Sequence, residues 1–87
     1  MTRVEALHHS RVQRMELPRV CRGFTTEIKP GRYLIVLNER NSAAEDQRTL
    51  EHELAHVRLG HFDSGLSIQE CEAEADREAA FILGIGR

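Results

Sequence analysis

The sequence predicts a small α+β domain, a small antiparallel sheet of two to three strands followed by two packed helices. Three observations predict it. Lys29-Pro30-Gly31-Arg32 is a turn between two β-rich segments, Val20 to Lys29 and Tyr33 to Asn38. Ser42-Ala43-Ala44-Glu45 and Ser67-Ile68-Gln69-Glu70 are capping boxes, each opening a stretch with helical apolar spacing. Finally, 87 residues at 40% hydrophobic composition suffice for one small core. Residues 1–87 are therefore expected to form a single domain.

Met1 to about His9 has the composition of a short helix without a good cap. Arg11 to Leu17 alternates Val12 and Met15 imperfectly with polar residues, a candidate strand ended by Pro18. In the turn, Pro30 pre-sets φ for the second position and Gly31 accepts the positive φ of the third. The flanking segments then form a hairpin. Tyr33-Leu34-Ile35-Val36-Leu37 is apolar throughout, which predicts a strand covered on both faces by helices.

From Ser42 a helix runs through Leu50, Leu54 and Val57 and ends near Gly60. Those three residues form one stripe, and His52 and His56 fall on another. A helix with core on one face and chemistry on the other should be central to the domain. His61 to Gly65 reads as a loop. The second capped helix passes through Cys71, Ala75, Ala79 and Ile82 and stops near Gly84.

The formal charge of −2 is spread without a basic stripe, which argues against direct nucleic-acid binding. No apolar run reaches membrane-spanning length and no signal peptide is evident, so a cytoplasmic protein is expected. Cys21 and Cys71 are not a CxxC pair; buried free thiols are expected, with a single disulfide as the alternative.

One stretch names a chemistry. His52-Glu53-Leu54-Ala55-His56 is an HExxH motif. On a helix, positions i and i+4 lie one above the other, so both imidazoles aim at one point and can share a metal ion. Glu53 follows the first histidine and can take a proton from a water at that ion, the arrangement of a zinc hydrolase. A chain this rich in His and Glu also produces the motif by accident, so its surroundings decide.

Catalytic zinc uses three protein ligands and leaves one position open. The second capped helix carries Glu72-Ala73-Glu74-Ala75-Asp76, an ExxAD pattern. Glu72 is the candidate third ligand. Asp76, four residues on, could accept the free ring N–H of His52 or His56 and fix its tautomer. The bland alternative is a charged face of a surface helix; the HExxH upstream favours the ligand role. His61 competes as third ligand. A metzincin, however, places Gly three and His six residues beyond the second histidine, where this chain has Leu59 and Phe62. His61 therefore reads as a loop histidine. His8 and His9 are expected to be exposed, Glu74 solvated, and Tyr33 a strand residue at the sheet edge.

Arg32 to Asn38, Arg48 to His56 with Leu59-Gly60-His61-Phe62, and Glu72 to Asp76 together resemble the ImmA/IrrE family of metallo-endopeptidases, over about Val20 to Leu83. The resemblance implies a minimal zincin-like metalloprotease core, with His52, His56 and Glu72 as zinc ligands, Glu53 as catalytic base and Zn2+ as cofactor. It also implies a substrate class: a partner protein such as a helix-turn-helix repressor of a mobile element or stress regulon. Three departures accompany it, the first being that helical segments before the sheet are short or missing. Glu78 stands where the family has an aromatic, and the chain closes at Ile85-Gly86-Arg87 where relatives continue. These keep a second reading open, a non-catalytic zinc-binding regulatory or partner-binding module of the same fold. A structural domain with an accidental HExxH is the distant third.

Overall fold

The computed structural model describes residues 1–61 and, further along, Ala73, Ala75, Arg77 and Ala79. The elements run α1 (Arg3–His8), β1 (Ser10–Met15), β2 (Gly23–Lys29), β3 (Arg32–Asn38) and α2 (Ala43–Arg58). The fold is α+β, as the sequence predicts.

Helix α1 has six residues, too few to persist without caps and packing. It has both. Thr2 Oγ1 accepts from the Glu5 amide at 3.1 Å, and Glu5 Oε1 accepts from the Thr2 amide at 2.7 Å. This is the same box found at Ser42, and the expectation of a poorly capped helix is corrected by it. Ala6 is fully buried. Arg3 Nε donates to the two oxygens of Glu51 at 2.8 and 3.0 Å, tying α1 to α2.

The sheet has the order β1-β3-β2. Strands β2 and β3 form the predicted antiparallel hairpin, closed by Lys29 opposite Arg32, with Gly31 at φ 78° in the turn. Strand β1, however, pairs with β3 in parallel, Ser10 opposite Tyr33 through Met15 opposite Asn38. The sheet is thus mixed rather than wholly antiparallel. The reason is topological. The chain reverses after β1 and again after β2, so β3 runs in the direction of β1. Residues 16–22 carry it past the end of β3, which then sits between the other two.

That connection is organised by Asn38, which is 2% exposed. Its Nδ2 donates to the carbonyls of Leu17, Pro18 and Cys21 at 3.2, 3.1 and 2.8 Å, while Oδ1 accepts from the Arg40 amide at 3.0 Å. A loop crossing a strand end must satisfy its backbone carbonyls somewhere, and the two N–H groups of one buried amide are shared among three of them. Cys21 is half-buried and a free thiol.

The core joins Ala6 of α1, Tyr33, Ile35 and Leu37 of β3, and Leu54 and Val57 of α2, with Leu7 and Leu50 packed against it. Tyr33 is therefore a buried residue of the central strand, not of an edge. Val36 is also buried, but outside that cluster, opposite Phe24 on β2. Leu54, 1% exposed, contributes about 2 kcal/mol of apolar transfer. Helix and sheet come close at Gly23, where a Cβ would meet the Val36 carbonyl at 2.6 Å and Thr49 Cγ2 at 2.7 Å.

Ala73, Ala75, Arg77 and Ala79 are helical, with Ala75 and Ala79 buried and Ala73 and Arg77 exposed. That alternation of faces agrees with the predicted second helix. Its capping box at Ser67 to Glu70, and Cys71, lie outside the described residues.

Candidate metal centre

The site rests on α2, which is secured at both ends. At its start Ser42 Oγ accepts from the Glu45 amide at 3.1 Å and Glu45 Oε1 accepts from the Ser42 amide at 2.8 Å. At its end Gly60 takes φ 71°, its amide donates to Val57 O at 3.2 Å, and the His61 amide donates to His56 O at 3.1 Å. These two reverse bonds are a Schellman cap, which needs a residue tolerant of left-handed φ at the glycine position.

Between the caps, the i, i+4 spacing brings His52 and His56 together as predicted. Their Nε2 atoms lie 3.2 Å apart and their ring planes meet at 80°. Two nitrogens each about 2.0–2.1 Å from a tetrahedral zinc would stand about 3.3 Å apart. The pair therefore fits two positions of one such ion. Both rings are half-buried, set on the helix yet open to a ligand.

Glu53 is 8% exposed, and its Oε1 accepts from Thr25 Oγ1 at 2.6 Å. A buried carboxylate needs such a donor, since leaving it without one would cost about 1–3 kcal/mol or more. Strand β2 thus reaches across to hold the motif glutamate. Sequence reading missed Thr25.

His61 does not behave as a remote loop residue. Its Nδ1 lies 2.9 Å from Nδ1 of His56, with ring centroids 5.1 Å apart. It touches the second motif histidine on the nitrogen that His56 does not turn toward His52. His8 and His9 are exposed, as expected. Tyr33 packs in the core cluster with Leu54 and Val57 of the same helix.

Glu72 and Asp76 lie outside the described residues, and so does Glu74. Among the described residues no three His, Cys, Asp or Glu side chains form a complete metal shell. Two of the three predicted ligands are thus brought together, and the third falls beyond what is described.

A peptidase family model described as the IrrE N-terminal-like domain matches residues 7–83 of the chain. No curated protein and no solved structure matches it.

Proposed function

This chain belongs to the IrrE N-terminal-like peptidase family, and from that membership and the site geometry we propose that it is a zinc-dependent endopeptidase. His52, His56 and Glu72 hold the ion, Asp76 orients one of the histidines, and Glu53 is the general base. The observation that carries this reading is the convergence of the two Nε2 atoms, 3.2 Å apart on consecutive turns of a capped helix. Support for a helix in the ExxAD stretch comes from Ala73 and Ala75, which are helical, with Ala75 buried.

When bound, zinc supplies a Lewis acid that polarises the scissile carbonyl and makes a water deprotonable near neutral pH. The protein's part is positioning and proton transfer. His52 and His56 present their Nε2 lone pairs from a rigid helix. Glu53 keeps Oε1 on the Thr25 hydroxyl and takes the water proton at its other oxygen, then delivers it to the departing amine. The substrate is a partner protein, a helix-turn-helix repressor of a mobile element or stress regulon, met in the cytoplasm. No helix among the described residues is long and apolar enough to cross a membrane.

The decisive experiment looks for a helix-turn-helix repressor encoded beside this chain and pairs it with the zinc-loaded protein. Cleavage by the wild type, with none by Glu53→Gln at equal zinc content and equal thermal stability, is the expected result. Wild-type speed in Glu53→Gln would remove Glu53 as the base. Stable binding of an uncut partner by the zinc-loaded chain would favour the non-catalytic module instead.

A further inference from the structure

A histidine that gives Nε2 to a metal keeps its proton on Nδ1. That N–H needs an acceptor, which fixes the tautomer and the rotation of the ring. For His56 the group in that position is another imidazole. His61 Nδ1 lies 2.9 Å away, within the range of an N–H···N hydrogen bond, and the rings are inclined at 68°.

The backbone explains how His61 comes to be there. A helix followed by extended chain would carry residue 61 away from the last turn. The Schellman cap turns it back instead. Gly60 takes φ 71°, and the amide of His61 returns to the carbonyl of His56 at 3.1 Å. Two contacts therefore join the same two residues, one through the backbone and one through the rings. The glycine that ends the helix also delivers the second imidazole.

We propose that His61 is the positioning residue behind His56, which leaves His52 as the histidine for Asp76 to orient. His61 Nδ1 accepts the Nδ1 proton of His56, holds that ring in the tautomer that leaves Nε2 for the ion, and binds no metal itself. This rests on the metal-centre reading above. It assigns His61 the role that a carboxylate or carbonyl plays behind most metal-bound histidines. It also accounts for a histidine one residue out of register for ligation, since five positions beyond His56 is the place a Schellman cap folds back.

The test uses the full chain and zinc alone. His61→Leu keeps bulk but removes the acceptor; His61→Asn places an amide oxygen near the lost Nδ1. Zinc affinity is measured by competition with a chromophoric chelator, and the number of coordinating imidazoles by X-ray absorption. The expected result is a loss of about 10–100-fold in affinity for His61→Leu. Most of that loss should be recovered in His61→Asn, with two imidazoles on zinc in the wild type and both variants. In metal-free protein, the ring nitrogen shifts of His56 should report one tautomer in the wild type and a mixture in His61→Leu.

Equal zinc affinity in wild type and a folded His61→Leu would overturn the proposal while leaving the metal centre intact. So would three imidazoles falling to two, which would make His61 a ligand. A wild type that takes up no zinc would overturn the metal centre itself, and this proposal with it.

Discussion

Thr25 donates its hydroxyl to Glu53 Oε1 at 2.6 Å, joining an edge strand to the helix that carries the HExxH motif. The motif glutamate is held from outside its own helix. Thr25→Val keeps the shape and removes the donor, and should lower unfolding stability by about 1–3 kcal/mol in urea titrations. Thr25→Ser should restore most of it. In a Glu53→Leu background the same change should cost far less, because no carboxylate is left in need of a partner. Equal costs in both backgrounds would break the link.

Arg3 and Glu51 form the second cross-link. The Glu51 carboxylate is 5% exposed and Arg3 is 38% exposed. Arg3→Ala would leave a buried charge without its two-toothed donor. A fully buried pair would lose about 3–5 kcal/mol on such a change. Solvent around Arg3 reduces the expected cost to about 1–3 kcal/mol. Arg3→Lys should recover only part of that, since one ammonium cannot match a planar fork. Denaturant midpoints of the three proteins check the order.

Asn38 anchors the connection from β1 to β2 through three carbonyls. Asn38→Ala should destabilise the fold by about 1–3 kcal/mol. Asn38→Asp should cost more at neutral pH, because it turns a carboxylate toward those oxygens. Hydrogen exchange should show faster opening of residues 17–22 in both variants. Unchanged protection there would mean that the loop is held by something else.

Helix α1 should respond to acid. Glu5 sits below the ordinary carboxylate range, mainly because the Thr2 amide donates to it, with the Thr2 hydroxyl adding to the effect. A folded-state pKa that is depressed gives stabilisation above the unfolded pKa and loses it as pH falls through the folded one. The amides of α1 should therefore exchange faster with acidification, from the ordinary carboxylate range downward, beyond the intrinsic change in exchange rate. Glu5→Gln should flatten that dependence. An identical pH profile in Glu5→Gln would disprove it.

The sequence legibly marks what local rules control. The Pro30-Gly31 turn, the Ser42 box, the Leu54–Val57 stripe and the His52–His56 pair all follow from spacing and side-chain chemistry within a few residues. The Thr2-x-x-Glu5 box follows from the same rule. Other features depend on register and topology. A two-residue turn closed by Lys29 and Arg32 would place Thr25 opposite Val36 and turn it from the helices. The bulge between Glu27 and Lys29 shifts the pairing by one, setting Thr25 opposite Ile35. One displaced residue exchanges the faces of a strand. Thr25 gains Glu53, and Phe24 is left 39% exposed. Nothing in the local sequence announces that shift, nor that β1 would dock in parallel. His61 is an intermediate case. Gly60 signals the helix end, but a metal-ligand template asks only whether a histidine fits the ion.

Seen as a sequence of events during synthesis, α2 has a further consequence. Ala6 and the β3 residues Tyr33, Ile35 and Leu37 share their cluster with Leu54 and Val57. A growing chain that has made the sheet but not this helix still lacks one wall of its core, and long-range contacts of this kind form late. The residues that close the wall are interleaved with His52 and His56. The helix that closes the core is therefore also the one that sets the histidine pair, so a substitution that undocks α2 takes the candidate metal site with it.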